Sequence, residues 1–127
     1  MPEGGQQNLR EKARILMNEA LRDLECGCYN KAVSAAYFAV RLLAESKLMG
    51  LRTRKDDKIA NALYRLLLRL GEEEAEWIRR SFMKLFEARK MADHTSVSFN
   101  REEAKSLVRL AMELVERIEE VTGRAHP

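Results

Sequence analysis

The stretch FMKLFEARKMADH, residues 82–94, decides how this chain is read. Wound as a helix, it sets Phe82, Leu85 and Phe86 on one face, at offsets of three and four. Arg89 follows them at offsets of seven, four and three, so it shares that apolar face, where a guanidinium is costly unless something pairs with it. Asp93 comes four residues later, within reach of an i,i+4 ion pair. His94 stands where the helical pattern runs out. An arginine on the buried side of a helix, with a histidine five residues on at its end, is the unusual chemical feature of the sequence.

The helical period extends back from Phe82 through Ile78 and Trp77, with Glu72, Glu73 and Glu74 suited to a first turn. Gly71 separates this helix from one over residues 57–70, whose face is Ile59, Leu63, Leu66, Leu67 and Leu70 and whose cap is Asp56 or Asp57. Before the linker LRTRKDDK, residues 30–49 form a helix whose first half, AVSAAYFAV, is small and apolar nearly all round, as in a buried helix. There Tyr37 is expected in the core with its hydroxyl reaching a partner. Asn8 with Glu11 reads as a capping box that starts the first helix. Its apolar face is Ala13, Leu16, Met17, Ala20, Leu21 and Leu24, and Gly27 stops it. On the far side, residues 95–99 are β-branched and serine-rich, hence a loop. Asn100 with Glu103 is a second capping box, opening a helix with the stripe Ala104, Leu107, Val108, Ala111, Leu114, Val115, Ile118 and Val121 before Gly123. These segments predict an all-α chain, an antiparallel four- to five-helix up-and-down bundle forming one domain over residues 8–122. Residues 1–7 and 123–127 read as loose tails.

Composition agrees with this reading. The 127 residues are 46% hydrophobic and 34% charged, and the two prolines stand at positions 2 and 127, so no internal proline breaks a helix. The net charge of +3 permits a nucleic-acid partner without demanding one. No apolar run approaches the ~20 residues of a membrane span and no signal peptide opens the chain, which predicts a cytoplasmic protein with no membrane partner. Cys26 and Cys28 are too close for an unstrained disulfide and lack a second ligand pair, so neither a metal site nor a cofactor is expected.

The chain resembles a HEPN domain, in the branch of small stand-alone prokaryotic members, over about residues 8–122. The likeness rests on LECGCYNKAVSAAYFAV entering the second helix, a variable basic linker, LFEARKMADH, and FNREEAKSLVRLAMELVERI closing the fold. Arg89 and His94, with four residues between them, match the family's R-x4–6-H motif. The resemblance implies a homodimer whose two motifs line one cleft and cut RNA without metal, leaving a 2′,3′-cyclic phosphate and a 5′-hydroxyl, as in toxin-like members. His94 would be the acid/base residue and Arg89 would stabilise transition-state charge on the phosphate. Asp93 would orient Arg89, and Lys90 would touch phosphate. Arg52, Arg54 and Lys55 are candidates for phosphate contact beside the cleft, against the plainer reading of a solvated linker. Arg79, Arg80 and Lys84 read as a wet helix face. Two departures from the family pattern bear on the choice of reading: the first speaks against tyrosine AMPylation, and the second, a histidine, favours the nuclease over the alternative. Ser96 stands where members paired with a minimal nucleotidyltransferase carry a tyrosine that receives AMP, and many stand-alone relatives have tyrosine at the position of His94. The alternative is a non-catalytic module that binds a separately encoded minimal nucleotidyltransferase, or a nucleotide. For Arg89 and His94 the plainer readings are an intrahelical ion pair and a helix C-terminal cap.

Overall fold

The structure, a computed structural model, describes residues 2–48, 50–51 and 55–124. Five helices follow one another: α1 (Pro2–Glu25), α2 (Tyr29–Ser46), α3 (Asp56–Arg69), α4 (Ala75–His94) and α5 (Arg101–Arg124). The described residues contain no strand, and none of their helices is long and apolar enough to cross a membrane.

The local signals account for most of the element ends. Gly27 and Gly71 adopt left-handed φ values of 81° and 74°, which cost a glycine no Cβ clash. Each closes its helix with the paired bonds of a Schellman motif, Cys28 N to Asp23 O with Gly27 N to Leu24 O, and Glu72 N to Leu67 O with Gly71 N to Leu68 O. At the start of α5 the capping box forms as expected. The Glu103 amide donates to Asn100 Oδ1 at 2.8 Å, and the Asn100 amide donates to Glu103 Oε1 at 2.9 Å.

Other expectations are corrected. The helix does not begin at Asn8; α1 already runs from Pro2, so residues 2–7 are helical and not a loose tail. Proline suits a first helical position because the N–H it lacks would be unpaired there, and Glu11 pairs instead with Arg14. Gly123 does not stop α5, which continues to Arg124; the expected tail beyond it, residues 125–127, lies outside the described residues. Neither Asp56 nor Asp57 caps α3. Lys55 holds the cap position without a side-chain capping hydrogen bond to the helix, and both aspartates lie in the first turn. Leu70, expected in the core, is 38% exposed at the helix end.

Helix α2 is the centre of the bundle and packs against each of the other four. Ala32, Ala36, Ala39 and Ala44 are fully buried along it, and small side chains let neighbouring backbones come close. The buried cluster that α2 belongs to includes Ile78, Phe82 and Leu85 of α4 and Val108, Leu114 and Ile118 of α5. The contacts give the helix directions. Asn30 and Phe38 of α2 meet Ala92 and Arg89 of α4, so these two helices run oppositely. Arg10 of α1 pairs with Glu119 of α5, and Arg117 of α5 pairs with Glu74 at the head of α4. Helices α1, α2, α4 and α5 therefore alternate as an up-and-down bundle. Helix α3 lies in the α2–α4 connection, packed on α4 and α2, and its first turn reaches the middle of α2.

Candidate functional site

The last two turns of α4 face a stripe on α2. Asn30, Ser34 and Phe38 recur every four residues, so they stack along one side of that helix. Arg89 lies between the two helices. Its Nε is 3.1 Å from Asp93 Oδ2, and its guanidinium carbon is 4.8 Å from the centre of the Phe38 ring. Both contacts offset the cost of half-burying a cation. Neither saturates it: Arg89 Nε is buried and has no hydrogen bond of proper geometry. Asp93 also accepts a hydrogen bond from Ser34 Oγ at 3.2 Å. The carboxylate thus ties α4 to α2 while it holds the guanidinium.

A second arm reaches the same place from α3. The Tyr37 ring is fully buried, edge-on to Phe38 and Phe82 and tilted against Phe86, with centroids 5.4, 5.7 and 5.8 Å away. Its hydroxyl finds a partner as expected, donating to Asp56 Oδ1. Arg41 lies 3.4 Å from the same carboxylate oxygen and 3.1 Å from Glu45 Oε1. Burial pushes the Asp56 carboxyl above its ordinary value of 3.8, against the pull of the Arg89 charge and, more weakly, of Lys90. Arg89 is therefore in the electrostatic field of two aspartates, one on its own helix and one on α3.

His94 is the last residue of α4 and is exposed. It has no hydrogen bond or ion pair among the described residues. The chain just after it is held by Asn30, whose amide donates to Ala92 O at 3.3 Å and Val97 O at 3.0 Å and whose Oδ1 accepts from the Phe99 amide at 2.9 Å. Thr95 Oγ1 adds a local turn, donating to Met91 O at 2.7 Å and accepting from the Val97 amide at 3.2 Å. Asn30 thereby sets the path of the chain out of the motif. Asn30→Ala removes three hydrogen bonds in a half-buried place. It should destabilise the protein by about 1–3 kcal/mol, read by chemical denaturation. Amide exchange at Val97 and Phe99 should accelerate while that of the α1 core stays as it was.

The remaining expected residues fall as follows. Lys90 does not point freely outward: its Nζ is 3.2 Å from Glu87 Oε1 and 4.6 Å from the centre of the Phe86 ring. Lys55 is exposed at the head of α3, next to Asp56. Arg52 and Arg54 lie outside the described residues. The sequence reading missed Asn30, Ser34, Phe38, Arg41 and Asp56 as neighbours of the motif. A signal was present: polar residues at positions 30, 34, 41 and 45 interrupt an otherwise apolar helix at helical spacing. Among the described residues no group of histidine, cysteine, aspartate and glutamate is placed to hold a metal ion, and both cysteines are free and exposed.

The five-helix bundle is an all-helical fold, and comparison with protein families gives its class. The HEPN domain model matches residues 6–121. The chain belongs to the HEPN domain family. No curated protein matches its sequence.

Proposed function

We propose that this HEPN protein is a metal-independent endoribonuclease, toxin-like in action, that works as a homodimer through Arg89 and His94. One observation carries the reading: the Arg89 guanidinium, held between α2 and α4 by Asp93 and Phe38, shares its helix end with an exposed histidine. An anion is the natural complement of such a guanidinium, and histidine titrates near neutral pH. In this mechanism His94 takes the proton from a ribose 2′-hydroxyl. The 2′-oxygen forms a bond to phosphorus, the bond from phosphorus to the 5′-oxygen breaks, and an acid group protonates the leaving oxygen. Arg89 stabilises the charge on the phosphate oxygens as the bonds exchange. The products are a 2′,3′-cyclic phosphate and a 5′-hydroxyl. Asp93 and Ser34 act through Arg89, holding it in position.

The second copy supplies the facing motif and the second acid/base histidine. Met91, 40% exposed one turn before His94, is an apolar residue for that contact to cover. Light scattering should report about twice the 14.7 kDa chain mass at micromolar concentration. A monomer would remove the composite cleft. The activity itself is tested by RNA cleavage in the presence of EDTA, beside a mock purification that controls for host nuclease. Cyclic phosphate ends on the fragments are the expected result; intact RNA would refute the assignment.

A second reading has its own support. Asp93 and Phe38 already engage Arg89, and among the described residues no group orients His94. Both facts suit a non-catalytic module that binds a separately encoded minimal nucleotidyltransferase or a nucleotide. Intact RNA in the EDTA assay, with stable capture of such a partner, is the result this reading expects.

A further inference from the structure

We propose that the groove between α4 and α5 is a track for the phosphodiester backbone of single-stranded RNA, leading away from the His94 end of the bundle; this rests on the RNA reading of that site. The groove has a volume of about 350 Å³ and is lined by Lys84 of α4 and by Lys105 and Arg109 of α5. Leu107 and Leu110 also line it, as do Ser106 and the carboxylates Glu102 and Glu113. Glu102, Lys105, Ser106, Arg109 and Glu113 fall at offsets of three, four, seven and eleven, one stripe of α5.

Lys84, Lys105 and Arg109 have no ion pair or hydrogen bond among the described residues. Elsewhere on the surface Arg10, Lys47, Arg79 and Arg117 each have a carboxylate partner. Glu102 and Glu113 lie three and four residues from Lys105 and Arg109, yet neither pair closes. Three cations against two carboxylates leave the lining at +1 (3 − 2). The position suits a strand that passes His94. Lys105 is one turn into α5, about 6 Å along the axis from Arg101, and Lys84 lies about 15 Å back along α4 from His94. No aromatic side chain lines the groove, so base stacking, the usual second element of single-strand binding, is missing. Recognition here is by phosphate charge, with no preference among bases and a strong dependence on salt.

The test uses the full chain carrying His94→Ala, so that bound RNA is not consumed, and a fluorescein-labelled short oligouridylate read by anisotropy. Adding Lys84→Gln, Lys105→Gln and Arg109→Gln together should weaken binding at least tenfold. The slope of log affinity against log salt should fall by about 2 over about 50 to 200 mM, since each cation on a single strand contributes about 0.7. Arg109→Gln alone should account for about a third of that change, and it guards against a triple variant that fails to fold. Unchanged affinity and slope would overturn the proposal. So would absence of oligouridylate binding by the His94→Ala chain, or loss of binding to phosphatidylserine vesicles in place of RNA. Failure of the nuclease assignment is a separate result, equal RNA cleavage by the wild type and by His94→Ala, and it leaves the binding comparison intact.

Discussion

His94→Ala is expected to lower RNA cleavage by about two to four orders of magnitude, the usual share of a positioned acid/base group. The fold should survive, because His94 is an exposed terminal residue of α4 without a bonded partner among the described residues. A melting profile like that of the wild type, together with lost cleavage, is the expected pair of results. Equal cleavage by both proteins under EDTA would remove the catalytic assignment. Arg89 needs a finer test, because it is also structural. Arg89→Ala leaves the exposed Asp93 with Ser34 as its partner among the described residues, at a cost of about 0.2–1 kcal/mol. Arg89→Lys keeps a charge for Asp93 but loses the planar fork that grips two phosphate oxygens. Cleavage should therefore fall steeply in Arg89→Lys while stability changes little. If the lysine variant cleaves like the wild type, Arg89 serves only to join α4 to itself and to α2.

Phe82→Ala should produce the largest loss of stability, about 3–5 kcal/mol. Phe82 is fully buried and stands edge-on to Tyr37 at 5.7 Å. Removing the ring opens a cavity under the central helix and frees Tyr37 on one side. Phe86→Ala, at a partly buried position on the same helix face, should cost less. Urea denaturation of the two variants gives the comparison; similar midpoints would show that α4 is not anchored through Phe82. The loss should reach the site too. Tyr37 holds Asp56, and Asp56 acts electrostatically on Arg89. A loosened Tyr37 should thus alter the site even at temperatures where Phe82→Ala remains folded.

The motif was legible because its chemistry is local. The Arg89–Asp93 pair spans four residues of one helix, and an i,i+4 contact needs no knowledge of the rest of the chain. The same holds for the Asn100–Glu103 box and for the glycines at positions 27 and 71. The core stripes of α4 and α5 were legible for a related reason. Burial follows the 3.6-residue period, and Phe82, Leu85, Leu114 and Ile118 are all fully buried as that period requires.

Local reading failed where two signals competed or where a tertiary partner intervened. Asn8 and Glu11 have the spacing of a capping box, but helix already runs through them from Pro2. Asp56 has the chemistry of a cap, yet its carboxylate is drawn to Tyr37 and Arg41 on α2.

By itself, then, the sequence determined five helices, their buried faces, most of their ends, and an arginine and a histidine close together at the end of α4. Those features depend on contacts within a few residues or on a period along one helix. Only the tertiary structure decided that Asn30 grips the chain 62 to 69 residues away, that Ser34 bonds to Asp93 59 residues away, and that Phe38 covers the Arg89 guanidinium. These meetings depend on the antiparallel packing of α2 on α4, which brings the start of one helix to the end of the other, and no sequence spacing encodes that distance.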